Sequence, residues 1–196
     1  FSVAPGLALD ILTEENQARL RFIQPQLGVQ YTLQAPVGGW MDEGTWSDGL
    51  IPGIADIVKI ENQSGQAQRV DVANSNAFAH ELTVSGAAAP MIVGVCNGFR
   101  LSTVAGVTLA DRGAVELVDG LLTTPLVNLE ACGLLYGQGV VVGNVLVNAG
   151  TLSPGPLEGA GGMTVIGDYA QLNEGRLLVQ ISGDQPGEFD VVQISG

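Results

Sequence analysis

The chain has 196 residues, 46% of them hydrophobic and only 14% charged, with 28 glycines and a single Lys, Lys59. So apolar a composition excludes a solvated disordered tail, and the shortage of Glu, Lys and Arg excludes a coiled coil or helical bundle. Seven basic against twenty acidic residues give a net charge of −13, which repels phosphate backbones and anionic lipid and so removes the electrostatic footprint of a nucleic-acid or membrane-surface binder.

In chain order, the opening Phe1-Ser2-Val3-Ala4-Pro5-Gly6 has no basic start and no initiator Met, as in a processed mature protein or an excised segment. Residues 1–39 differ in pattern from the rest of the chain. Leu9 to Arg21 fits a short amphipathic helix with Thr13 as cap. It fits extended strands equally, with Ala18 to Ile23 and Val29 to Leu33 as runs around a Pro25-Gln26-Leu27-Gly28 turn. We read strands forming an N-terminal β cap, because Pro25 ends any helix and a solenoid needs its first edge covered.

From Ile57 onward, short strand-like runs alternate with turn residues. They are Ile57 to Ile60, Arg69 to Val72, Glu81 to Val84, Met91 to Val95, Arg100 to Val104, Val107 to Leu109 and Ala114 to Val118. Val140 to Val147, Met163 to Ile166, Arg176 to Ile181 and Asp190 to Ile194 complete the set. Many have the period-2 pattern of a sheet with one buried face, and no helix of ordinary length is expected after Trp40. The close spacing and single-Gly turns at Gly106, Gly113 and Gly150 favour an all-β, right-handed parallel β-helix over residues 40–196. The alternative is an antiparallel β-sandwich, which Asn97-Gly98 and Asp119-Gly120 would serve as hairpin turns. Leu121 to Asn128 alternates poorly and reads as a loop lengthening one turn. No apolar run reaches the ~18 residues of a membrane-spanning helix.

Trp40 and Trp46 stand among Asp42, Glu43, Asp48 and Asp56. Aromatic faces that stack on sugar rings, beside carboxylates that accept hydroxyl hydrogen bonds, make Trp40, Trp46, Asp42 and Asp48 the carbohydrate-binding candidates. The competing reading packs both tryptophans into the first turn and leaves the acids solvated. Catalytic residues are not assembled. His80 is the only His, no Gly-x-Ser-x-Gly elbow presents a Ser, and Lys59, Arg69, Arg100, Arg112 and Arg176 are too scattered for a polyanion-cleaving groove. Gly137 to Gly143 departs from the dinucleotide-binding spacing, and no metal site or cofactor is implied beyond incidental calcium on the acidic surface. Asn62-Gln63-Ser64 has the form of a glycosylation sequon.

Cys96 and Cys132 lack metal-ligand spacing. At about 18 residues per turn they would lie two turns and ~10 Å apart, beyond the ~7 Å reach of a disulfide. If Leu121 to Asn128 is a loop they become neighbours, and a disulfide is then expected in an oxidising compartment.

Two stretches resemble secreted, Gly-rich β-solenoid modules of bacterial surface proteins, including autotransporter passenger domains. The first is Trp40 and Trp46 followed by Gly49-Leu50-Ile51-Pro52 and Asp56 to Ile60. The second runs from Gly137-Gln138-Gly139 through Gly143-Asn144-Val145 and Asn148-Ala149-Gly150-Thr151-Leu152-Ser153-Pro154-Gly155, then through Ile166 to Gln171 and Gly175 to Val179, ending at Phe189 to Gly196. The resemblance implies a parallel β-helix displayed outside a bacterial cell, secreted or at the cell surface. We therefore expect an extracellular structural or adhesive protein without catalysis, self-assembling head to tail into a homopolymer or meeting a cell-surface glycan or matrix. A carbohydrate-binding or carbohydrate-active β-helix is the alternative.

Overall fold

The computed structural model describes residues 8–14, 17–23, 33, 36–147 and 149–196. Strand β1 (Ala8–Glu14) pairs antiparallel with β2 (Gln17–Ile23) in a sheet of two. The helix alternative for Leu9 to Arg21 is thereby overturned, since both halves are extended and Ile11 lies opposite Leu20. The partner of β2 is the segment before it. The Pro25 to Gly28 turn and Val29 to Tyr31 fall outside the described residues, while Leu33 makes an isolated antiparallel bridge to Trp46.

The remaining strands form one sheet. They are β3 (Val37–Gly39), β4 (Ile57–Glu61), β5 (Gln68–Val72), β6 (Ala77–Ser85), β7 (Met91–Cys96), β8 (Arg100–Ala110) and β9 (Gly113–Leu129). Then follow β10 (Leu134–Val147), β11 (Thr151–Ser153), β12 (Gly162–Ile166), β13 (Tyr169–Gln171), β14 (Arg176–Leu177) and β15 (Val191–Ser195). Every ladder in this sheet is parallel, which excludes the antiparallel sandwich. Each strand pairs with one about a full turn away, so the sheet is a β-solenoid of about five turns. The one helical element among the described residues is a 3-10 turn, Glu43–Thr45.

The registers divide the coil into three faces. On face 1 the inward positions stack as Val70, Val93, Val115, Leu135, Leu152 and Leu177. Face 2 stacks Ala77, Leu101, Leu122, Val141, Val165 and Ile194. Face 3 stacks Val58, Leu82, Val107, Val127, Val145 and Tyr169. All but the last residue of each column are buried to 1% exposure or less. Burying one such Val or Leu is worth ~1.5–3 kcal/mol, so the columns are the main source of stability. Alternate residues point outward, which is the origin of the period-2 pattern.

Corners use two devices. Gly113 and Gly133 open face 1 where the preceding turn passes so close that a Cβ would meet the carbonyl oxygen of Val84 or Leu109. Asn97 (φ 55°), Gly98 (φ 77°) and Asp119 (φ 56°) bend the chain from face 1 to face 2. Their corners stack, with Asn97 N donating to Val118 O and Gly98 N to Asp119 O at 2.9 and 2.8 Å. The dipeptides expected to reverse the chain therefore turn a coil.

Two further expectations are corrected. Leu121 to Asn128 is strand, in the C-terminal half of β9, and it covers faces 2 and 3. Its alternation breaks because a corner at Pro125-Leu126 resets which parity faces inward, Thr124 and Val127 both being buried. The run from Arg176 to Ile181 is strand only at β14. Beyond it the Asp190 carboxylate accepts from Gln180 N at 2.9 Å and Gly161 N at 2.8 Å, drawing the chain into a loop closed by an Ile181–Phe189 bridge. Asn62 is fully buried after β4. Its Nδ2 donates to Gln66 O and Pro90 O at 2.7 and 2.9 Å, while Oδ1 accepts from Ser64 N at 2.9 Å.

Candidate functional site

Trp40 and Trp46 are both at 0% exposure in the core, so neither ring offers a face to a sugar. They meet edge to face at 5.3 Å and 76°, and Trp46 Nε1 donates to Trp40 O at 2.9 Å. Among the described residues no ladder continues the coil before β3, and two large aromatics supply apolar cover there. Asp42 accepts from Gly44 N at 2.9 Å as cap of the 3-10 turn, and Asp48 accepts from Leu50 N at 3.4 Å. Stacking of a sugar on Trp40 or Trp46 is thereby corrected, while Asp42 and Asp48 are exposed on the surface beside them. His80 stands where the β6–β8 register shifts between faces 2 and 3, and its backbone N donates to Asp56 O at 2.7 Å.

The disulfide is not formed; both cysteines are free. Cys96 closes the face 1 strand β7, whereas Cys132 precedes β10, two turns on and at the opposite end of that face. Because β9 is unbroken strand, no loop brings them together. Cys132 is exposed beside an open recess of about 630 Å³ shared with Thr151, Glu174 and Arg176.

The polar side chains that do converge lie on the outer side of face 1. The registers stack Asp71, Gly94, Glu116, Tyr136 and Ser153 in one column across β5, β7, β9, β10 and β11. Arg69, two residues before Asp71 on β5, lies along this column. Its Nε donates to Asp71 Oδ1 at 2.7 Å, and its Nη1 donates to Glu116 Oε2 on β9. To reach β9 the guanidinium crosses Gly94 on the intervening turn. A Cβ at position 94 would collide with Asp71 Oδ1 and Arg69 Nη2, so the missing side chain is the channel the bridge runs through.

The electrostatics around it are those of a clasp. Burial works against the Arg69 charge, yet the Glu116 hydrogen bond and the Asp71 charge more than compensate, and its pKa rises. Tyr136 is 4% exposed, and burial followed by the Glu116 charge pushes its pKa up to about 12. Burial and then Asp71 raise the Cys96 thiol, with Arg69 pulling the other way. A thiol raised in this way is a poor nucleophile at neutral pH, and a phenol at 12 is a poor acid. Burial thus disfavours ionisation of both the Cys96 thiol and the Tyr136 phenol. The group ties strands together.

The sequence candidates did not include Glu116 or Tyr136 and left Arg69 among scattered cations. Two signals were present: the outward pair Arg69 and Asp71, and a Gly in the apolar run Met91-Ile92-Val93-Gly94-Val95. Among the described residues no three His, Cys, Asp or Glu side chains are grouped to hold a metal ion, and no helix is long and apolar enough to cross a membrane. The chain matches no protein-family model, no curated protein and no solved structure.

Proposed function

We propose that this chain is a structural or adhesive module of an extracellular surface protein, acting as a stiff β-solenoid rather than as a catalyst, and stacking head to tail with further copies. The observation that carries the reading is the set of inner columns, continuous over six positions on each of three faces. Such a coil resists bending because each turn is clamped by backbone ladders and packing from both sides. The resemblance of Trp40 to Ile60 and of Gly137 to Gly196 to passenger-type solenoids supports display outside a bacterial cell. Head-to-tail stacking is supported by the inward residues Leu177 and Ile194, 37% and 45% exposed at the top of their columns, where a further turn would continue both. Contact of this kind is heterologous and propagates as a filament.

Sedimentation velocity and negative-stain microscopy of the purified chain test it. Linear assemblies that lengthen with protein concentration are expected, and Ile194→Lys or Leu177→Glu returns monomers with an unchanged far-UV spectrum. A monodisperse monomer at high concentration across a range of salt overturns the assembly. Turnover of a polysaccharide by the pure chain overturns the non-catalytic role.

A further inference from the structure

In a solenoid each turn touches only its neighbours, so cooperativity is built from nearest-neighbour terms and an end turn can open alone. Arg69 breaks that locality. It belongs to the turn of β5, it passes over β7 at Gly94, and it ends on Glu116 of β9, so one side chain joins turns that share no ladder. We propose that Arg69, Gly94 and Glu116 form a clasp that makes the turns of β5, β7 and β9 open as one unit, so that unravelling from the N-terminal side of the coil cannot take β5 without β7 and β9.

Three observations carry this. The clasp is anchored on both sides, by Asp71 on its own strand and by Glu116 two turns on. Its members are shielded, with side-chain exposures of 28%, 29% and 20% for Arg69, Asp71 and Glu116, so water competes weakly for the bonds. Tyr136 of β10 backs Glu116 in the same column at 4% exposure, which fixes the carboxylate that the guanidinium must reach. The clasp is independent of the proposed function and stands whether or not copies stack.

Native-state amide hydrogen exchange read peptide by peptide tests it. In the wild type β5 and β7 are expected to exchange at one common rate. With Glu116→Gln the two rates separate, β5 accelerating by about tenfold and more than β7, while β12 and β15 keep their wild-type rates. Gly94→Ala is expected to reproduce the pattern with Glu116 intact, because the methyl occupies the guanidinium's path. If Gly94→Ala fails to fold, Glu116→Gln alone decides. Unchanged β5 and β7 rates in Glu116→Gln overturn the clasp. Acceleration confined to β9 and β10, or spread uniformly along the chain, overturns it as well, since the first is local relaxation and the second a general loss of stability.

Discussion

At the first turns, Trp40 and Trp46 lie beneath the columns with no ring surface left to solvent, and Arg69 fastens the turns above them. At the last turns the same columns finish on Leu177 and Ile194, each more than a third exposed, and Tyr169 finishes the third, half-buried. The ladder is parallel throughout, so hydrogen bonding does not distinguish the two regions. What differs, among the described residues, is what lies at the two ends of the columns: large aromatics and charge at one, partly exposed aliphatic side chains at the other. A repetitive architecture thus acquires direction from a few residues that are not part of the repeat.

The contrast is tested hardest at the closed side. Trp46→Ala removes a fully buried indole and its bond to Trp40 O, and we expect a loss of ~3–5 kcal/mol in urea denaturation. Next is alkali. The Tyr136 pKa is higher folded, about 12, than its ordinary value near 10, so the stability it contributes is present below pH ~10 and is lost as pH rises towards 12. The fall should be on the order of 2–3 kcal/mol, and Tyr136→Phe should flatten it in denaturation curves taken across that range.

Cys132→Gly probes the corners. Cys132 holds φ at 60° while its side chain is exposed, so Gly relieves strain at no packing cost and should raise stability by ~0.5–1 kcal/mol in the same assay. The smallest effect belongs to the open side. Ile194→Ala should cost a monomer under ~1 kcal/mol, because the side chain is 45% exposed. A cost near that of Trp46→Ala would erase the contrast between the two regions.

Much of the coil was legible from alternation. Val93 and Val95 face inward and Ile92 and Gly94 outward in β7, as a period of two requires. Leu121 to Asn128 was not legible, because a corner inside a strand resets the parity and looks like lost order. No fixed period announces the turns either: one takes 17 residues, from Leu135 to Leu152, and the next takes 25, to Leu177. Trp40 and Trp46 read as packing of the first turn ahead of a sugar platform, and their full burial agrees with the packing. The clasp was hidden for a different reason. Arg69 and Glu116 are 47 residues apart, and only the register of two successive ladders places them together.

The buried amide of Asn62 bears on how the chain would fare in a glycosylating secretory pathway. Both Nδ2 hydrogens are committed, to Gln66 O and Pro90 O, so an oligosaccharide can be transferred only before the Pro90 segment has docked. Transfer and docking then race. A glycan that wins occupies the space of the Asn62 turn and holds β4 away from its successor, so occupancy at this asparagine would sort the secreted material into unmodified, assembled molecules and modified, misassembled ones. Replacing Ser64 with Ala removes the acceptor signal along with the Oγ bond to Asn62 Oδ1, so a gain in homogeneous yield would come with a slightly looser turn.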